Sequence, residues 1–536
     1  MIEATLLAEL ITLSAKRSPH AIALTLGDQS INYAELQNRV AQFACGLLGL
    51  GIARTERVAI YLDKCFETVV ASFGAAAAGA VFVPVNPLLK PEQVAFILQD
   101  CNVRLLVTSS QRLGLLKNTL AACHDLRHIV LTDGVVGAPQ LAADPVAVVP
   151  WQLLTQRQDG VGHRVIDTDM AAILYTSGSS GRPKGVVLSQ RNMVAGAKSV
   201  ASYLENSSQD SLLAALPLSF DAGFSQLTTA FHVGARVVLL NYLTPRDVLK
   251  ALDREAVTGL TAVPPLYIQL AQVDWPQGIG KTLRYFANTG GRMPKETLAA
   301  LRTRIPSAKP FLMYGLTEAF RSTYLAPDEV DRRPDSIGRA IPNAEILVLR
   351  DDGSACGPDE PGELVHRGAL VGMGYWNDPV KTAERYKPLA ADTPGRQTGL
   401  MLPEYAVFSG DTVRMDADGF LYFIGRRDEM MKTSGYRVSP TEVEEILYAT
   451  LLVGECMVFG IEHATLGQAI QAIVTPPEPS GAGDGKALLD ACRARMPAYM
   501  VPASIEWVDG PLPRNPNGKI DRTLLAAQWR ARHVGP

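Results

Sequence analysis

Short apolar runs of strand length alternate with stretches of helical apolar spacing through the first half of the chain, and this alternation constrains the fold most. Ile31-Asn-Tyr-Ala-Glu-Leu36 reads as a strand entering a helix that continues through Leu50. Val58-Ala-Ile-Tyr-Leu62, Ala80-Val-Phe-Val-Pro-Val85, Leu105-Leu-Val-Thr108, His128-Ile-Val-Leu131 and Arg236-Val-Val-Leu-Leu240 read as further strands. Almost continuously apolar strands separated by helices belong in parallel sheets covered on both faces. The segment 68–89 carries no charge, but Gly74, Gly79, Pro84 and Pro87 fit a small-faced buried helix followed by a strand, so no membrane span is expected. With 536 residues, 47% of them apolar, the chain can bury several cores without metal or disulfide staples. Its seven cysteines form no CxxC pair and no regular spacing, which points to a reduced, cytoplasmic protein without a zinc site. Glu3 and Glu9 stand where an export signal would carry positive charge.

The residues between 134 and 160 are rich in Ala, Pro, Val and Gln without a period, as in a surface connection. After Arg339 short strands and turns take over, with Asp351-Asp-Gly353 and Asp416-Ala-Asp-Gly419 as hairpin turns. From 428 the pattern is helix (439–449), strand (456–460), strand (469–474) and helix (487–496). The expected fold is α/β. A large N-terminal core, 1–427, holds parallel-rich sheets with helices and a β-rich subdomain at about 339–427. A small, mobile α+β domain, 428–536, follows it.

Lys and Arg number 51 against 54 Asp and Glu, so no surplus of positive charge exists for a dedicated nucleic-acid binder, and any nucleotide partner is expected to be small. The strongest chemical signal is Ile173-Leu-Tyr-Thr-Ser-Gly-Ser-Ser-Gly-Arg-Pro-Lys-Gly-Val-Val-Leu188. Small residues here let backbone amides approach an anion, the hydroxyls of Thr176, Ser177, Ser179 and Ser180 add donors, and Lys184 adds a cation. It reads as a phosphate cradle, though not a Walker A loop, because Lys184 follows Pro183 and Gly185 stands where a magnesium-binding hydroxyl would be. His124 and His128 lie four apart, but they lead straight into a strand with no further ligand nearby and read as surface residues.

The run Tyr175-Thr-Ser-Gly-Ser-Ser-Gly-Arg-Pro-Lys-Gly185 resembles the signature of the AMP-forming adenylate-forming enzymes, a superfamily of acyl-CoA synthetases, peptide-synthetase adenylation domains and luciferases. Four more segments resemble that superfamily in order: Tyr314-Gly-Leu-Thr-Glu318, Phe408-Ser-Gly-Asp411, Gly425-Arg-Arg-Asp-Glu-Met-Met-Lys-Thr-Ser-Gly435 and Pro513-Arg-Asn-Pro-Asn-Gly-Lys519. The resemblance implies ATP, Mg2+ and CoA as reactants and cofactors, with a small carboxylic acid as substrate. It also implies roles. Thr176, Ser177, Gly178, Ser179, Ser180, Gly181 and Lys184 would hold phosphates, with Gly290 at the nucleotide. Tyr314 would stack on adenine, Thr317 would contact the α-phosphate, and Glu318 with Thr176 would hold magnesium. Asp411 and Arg426 would bind ribose, Asp428 would be the hinge, and Lys519 would be the catalytic cation. Ser434 and Gly435 would line the thiol's path. Asp221, Phe224, Thr289, Gly290 and Gly315 would line the acid pocket.

The residue types also fit the chemistry without the family. A carboxylate attacks the α-phosphate of ATP only when both negative reactants are neutralised, which a lysine and a metal can do. Phe220-Asp221 leaves the acid open. Many acyl-CoA synthetases have Phe-His near this point, whereas amino-acid adenylation domains have a similar Phe-Asp whose aspartate meets the substrate ammonium. A buried carboxylate needs a partner, and an ammonium would serve; capping a helix or bonding backbone at the pocket edge would equally explain Asp221. The stretch 216–239 resembles acyl-CoA ligases that accompany bacterial exosortase systems. Two readings therefore stand, an acyl-CoA ligase and a stand-alone amino-acid adenylating enzyme that loads a carrier protein.

Overall fold

The computed structural model describes residues 3–134, 146–156, 162–176, 183–396, 399, 401–427, 429–433, 436–463, 466–477, 483–516 and 518–533. The alternating first half forms two sheets. The smaller has seven strands in the order Ala147–Pro150, His128–Leu131, Val103–Thr108, Arg57–Tyr61, Val81–Pro84, Met170–Thr176 and Lys184–Ser189. All neighbours are parallel except the last two, which form an antiparallel hairpin with Thr176 opposite Lys184. Strand Ala147–Pro150 lies inside the segment expected to be a plain surface connection; it is a short edge strand whose four residues are too few to show a period.

The second sheet has fourteen strands among the described residues. Its parallel centre runs Ile22–Leu26, Arg236–Leu239, Ser211–Ala214, Gly259–Ala262, Tyr285–Asn288 and Lys309–Tyr314. It then turns antiparallel through Thr323–Leu325, Ser336–Ala340, Leu421–Arg426, Tyr405–Met415, Gly362–Gly368 and Ala344–Leu349. The β-rich part is thus hydrogen-bonded to the parallel sheet as its continuation. Asp416–Gly419 is a tight turn between two strands, as expected. Asp351–Gly353 is also a tight turn, across which Leu349 pairs antiparallel with Ala355 and the Arg350 N–H donates to the Ser354 carbonyl at 2.9 Å.

From Thr68 the apolar helix Phe66–Ala77 and the strand Val81–Pro84, the segment whose lack of charge raised a membrane question, are buried except at Ala77. Among the described residues no helix is long and apolar enough to cross a membrane. Helix Asp221–Val233 packs between the sheets. Its Phe224 ring stacks on Phe73 and Phe82 with centroids 5.6 and 4.8 Å away, and Phe231 meets Phe73 edge-on at 5.2 Å. Each such ring contributes about 1.5–3 kcal/mol by leaving water, so the helix is fixed in rotation, and with it Asp221 at its first turn.

After 428 a five-stranded sheet of Tyr436–Val438, Met431–Thr433, Gly467–Val474, Cys456–His463 and Ser504–Trp507 carries helices Pro440–Ala449, Gly485–Arg495 and Arg522–His533. It has its own apolar core, including Val443, Leu447, Val458 and Leu488.

Candidate active site

Strands deliver the first wall. Tyr314 ends strand Lys309–Tyr314, and its hydroxyl donates to Oδ2 of Asp411 on strand Tyr405–Met415. Asp411 lies opposite Arg426 in the antiparallel ladder, with Arg426 Nε 3.4 Å from Oδ1. Burial raises the Asp411 carboxyl, outweighing the opposing pull of Arg426 and Tyr314. Beyond Tyr314 the chain makes a short helical turn, Thr317–Ala319. Thr317 is buried there, and Glu318 Oε1 accepts from the Tyr375 hydroxyl at 2.5 Å. Lys184 Nζ lies 5.3 Å from the centre of the same Tyr375 ring. Burial lowers the Lys184 ammonium, and Lys381 and Arg385 lower it further, so cations cluster at this end. Ser177, Gly178, Ser179, Ser180 and Gly181 lie outside the described residues, as do Asp428, Ser434 and Gly435. Thr176 and Lys184, which flank the first of these stretches, face each other in the antiparallel ladder.

The second wall corrects an expectation. The Asp221 carboxylate has neither a cap nor a backbone role as its main partner: Oδ2 accepts from Arg321 Nη1 at 2.8 Å. Both side chains are almost wholly buried, 3% and 2% exposed. Arg321 reaches Asp221 because Phe320, a bulky residue, takes φ = +58° and reverses the chain just after the Thr317–Ala319 turn. Arg321 Nη1 also donates to the Phe320 carbonyl at 2.8 Å. Gly315 backs onto this turn, where a Cβ would come 3.2 Å from Arg321 Cα. Phe224, expected in the pocket, instead points into the core between Phe73 and Phe82. The helix face carrying Ala222, Ser225, Gln226 and Thr229 lines the cavity in its place. Residue 223 must be glycine, since a Cβ there would sit 1.8 Å from the Pro217 carbonyl oxygen.

The third component comes from the far end of the chain. Asn515 closes a loop on Lys519: its N–H donates to the Lys519 carbonyl at 2.7 Å, and its Oδ1 accepts the Lys519 N–H at 3.1 Å. Asn86 of the large domain donates to the Pro516 carbonyl and holds this loop in the cleft. Lys519 lies on the turn at 288–291. Gly290 has φ = +78°, and a Cβ on it would come 2.9 Å from Lys519 Cε. Thr289 N–H donates to the Ala262 carbonyl at 3.0 Å, and Asn288 Nδ2 to Gly291 O at 2.7 Å, so the turn is tied to the sheet. Lys519 Nζ is 5.6 Å from the Phe220 ring centre. Burial lowers the Lys519 ammonium; Asp221 and Asp411 act against this, while Arg426 and Arg321 add to it. One lysine thus feels the charges of both walls.

Residues 11–376 match the AMP-binding enzyme family and residues 442–519 the AMP-binding enzyme C-terminal domain. The chain belongs to the AMP-binding enzymes. It is 31% identical to a feruloyl-CoA synthase of an Amycolatopsis species, over 94% of this chain and 95% of that protein. It is 29% identical to an L-proline–[L-prolyl-carrier protein] ligase of Pseudomonas fluorescens, over 98% and 99% of the two. It matches a linear gramicidin synthase of Brevibacillus parabrevis at 28% over 97% of this chain, but spans only 10% of that protein. The o-succinylbenzoate CoA synthetase of Bacillus subtilis, solved with ATP and magnesium ion, superposes with a TM-score of 0.79 at 26% identity, over 96% of this chain and 99% of that one.

In this AMP-binding enzyme Tyr314, Asp411 and Arg426 form one group, and Lys519 packs on Gly290 within reach of the charges of Asp411, Arg426 and Asp221. Arg321 was not singled out from the sequence. Its signal was available, because a cation between Phe320 and the uncharged run Ser322-Thr323-Tyr324-Leu325 needs a counter-ion, and so does Asp221 at the start of an apolar helix. His124 is exposed and His128 half-buried, and among the described residues no group of three potential metal ligands forms.

Proposed function

We infer that this AMP-binding enzyme is an acid–thiol ligase, which joins a carboxylic acid to the α-phosphate of ATP with loss of pyrophosphate and then passes the acyl group to a thiol, CoA before a carrier protein. The observation that carries the reading is Lys519 packed on Gly290, with its Nζ 5.6 Å from the centre of the Phe220 ring beside Asp221 and near enough to Asp411, Arg426 and Arg321 to be shifted by their charges. A cation at that point neutralises an incoming carboxylate and the α-phosphate together, which lowers the barrier to their approach. The carboxylate oxygen forms the new bond to phosphorus as the bond to the pyrophosphate oxygen breaks.

Tyr314 and Asp411 would hold adenine and ribose. Thr317 would hold the α-phosphate, with Lys184 and the loop containing Ser177, Gly178, Ser179, Ser180 and Gly181 on the outer phosphates. Glu318 and the Thr176 hydroxyl offer hard oxygen donors suited to magnesium, which when bound supplies charge neutralisation at the phosphates. For the second step the domain 428–536 would rotate on Asp428 against the core 1–427, withdrawing Lys519 and presenting Ser434 and Gly435 to the thiol. The Arg321 counter-ion on Asp221 favours an acid without an ammonium group over the amino-acid reading, and so favours CoA.

Exchange of labelled pyrophosphate into ATP on addition of acid, followed by AMP release on addition of CoA or of a carrier protein, tests this directly. Acid-dependent exchange with CoA-dependent AMP release is expected. Exchange without CoA-dependent release would move the enzyme to the carrier-loading class, and no exchange with any acid would overturn the reading.

A further inference from the structure

Beside Arg321 lies a small cavity of about 20 Å³, lined by Ser225, Gln226, Thr229, Tyr285, Met313 and Arg321 among others. That volume admits one water-sized group. Four polar atoms of its lining, Ser225 Oγ, Thr229 Oγ1, Gln226 Oε1 and Arg321 Nε, have no hydrogen-bond partner among the described residues, and neither has Oδ1 of Asp221, the ion-pair partner of Arg321. All five side chains belong to buried residues. The Gln226 amide is oriented, because Nε2 donates to the Leu213 and Thr261 carbonyls at 2.7 and 3.2 Å, which aims Oε1 away from them as an acceptor. A buried polar atom left unmatched costs about 1–3 kcal/mol, so buried polar groups normally find a partner. Four in one lining, with a fifth on the ion-pair partner of Arg321, mark a site that takes a polar group.

The charges narrow the class. Asp221 cancels Arg321, and Lys519 cancels the reacting carboxylate, so the buried site is neutral once a monocarboxylate is bound. An ammonium would leave one excess positive charge and a second carboxylate one excess negative charge, each costly in a buried place. A hydrocarbon tail would seal the five atoms from water without matching them, and a ring exceeds the space.

We propose that the acid is short and carries a hydroxyl that accepts from Arg321 and meets Ser225, Gln226 and Thr229; this rests on the acid–thiol ligase reading. The group takes the Arg321 Nε–H as acceptor and offers its own proton to Gln226 Oε1 or Asp221 Oδ1.

The test is pyrophosphate exchange on matched acids: 3-hydroxybutanoate against butanoate and 4-hydroxybutanoate against pentanoate, with octanoate, benzoate, alanine and succinate as rivals. The polar member of each pair should lead in kcat/KM by at least about tenfold, since a site built to hydrogen-bond rejects the analogue that cannot. In Ser225→Ala/Thr229→Val, which nearly conserves volume, that ratio should fall to within about threefold, and in Arg321→Met alanine should gain relative to 3-hydroxybutanoate as Asp221 loses its counter-ion. A ratio near one in the wild type, unchanged in the double variant, would mean a structural water only and would overturn the proposal. Exchange led by octanoate, benzoate, alanine or succinate would overturn it alone, whereas no exchange with any acid would overturn the ligase reading and the proposal with it.

Discussion

The two walls of the cleft are built on different principles. The nucleotide wall is made of residues that meet through neighbouring strands: Asp411 faces Arg426 across a ladder, and Thr176 faces Lys184 across another. The acid wall is made by one long-range ion pair, Asp221 to Arg321, sealed from water. Backbone hydrogen bonds set the geometry of the first; complementary charge sets that of the second. The nucleotide wall should therefore tolerate the loss of a side chain with its shape intact, whereas the acid wall should not.

The largest expected effect tests that difference in stability. Asp221→Ala leaves Arg321 buried and unpaired, and unfolding free energy should drop by about 3–5 kcal/mol. Asp221→Ala combined with Arg321→Met should recover most of it in a denaturant titration, and equal losses in single and double variants would erase the contrast between the walls. Next comes Lys519→Ala, which should slow pyrophosphate exchange by about two decades or more while thioester formation from supplied acyl-AMP persists. The loss should be the same for every acid, because the lysine serves both walls.

Asp411→Asn keeps the shape and removes the charge. It should raise the KM for ATP by about tenfold to a hundredfold, the worth of a charge-assisted hydrogen bond, without altering the ranking of acids. A changed acid ranking would show that the walls are not separable. At neutral pH the smallest effect concerns His366, on strand Gly362–Gly368, whose Nδ1 lies 3.0 Å from the hydroxyl of Ser322, the residue after Arg321. Burial holds its pKa down to about 3 from an ordinary 6.5. The unfolded chain takes this proton as pH falls through about 6.5, the folded one only near 3, so the stability it contributes is complete above that window and lost through it. The slope is about 1.4 kcal/mol per pH unit, and it should be missing from the pH–stability curve of His366→Gln.

The same contrast explains what could be read beforehand. The nucleotide wall sits in contiguous motifs whose residue types state their chemistry, and the alternation of strands and helices announced both parallel sheets. Arg321 and Asp221 are a hundred positions apart, and only the positive φ at Phe320 and the rotation of helix Asp221–Val233, fixed by Phe224, bring them together. The true place of Phe224 was hidden for a related reason: periodicity shows that a helix has faces but not which one meets a core and which a cavity. The joining of the β-rich strands to the parallel sheet was hidden because Ser336–Ala340 pairs with the distant Leu421–Arg426.

Thr317, Glu318 and Arg321 share a single reversal of the chain between strands Lys309–Tyr314 and Thr323–Leu325. On the roles proposed for these residues, chemistry and selectivity are therefore inherited together on that loop. Grafting it from a relative with another acid would import a foreign phosphate contact along with the foreign pocket. Retuning this enzyme to a new acid is better done one side chain at a time along Ser225, Gln226 and Thr229, on a helix that carries none of the groups assigned to phosphate.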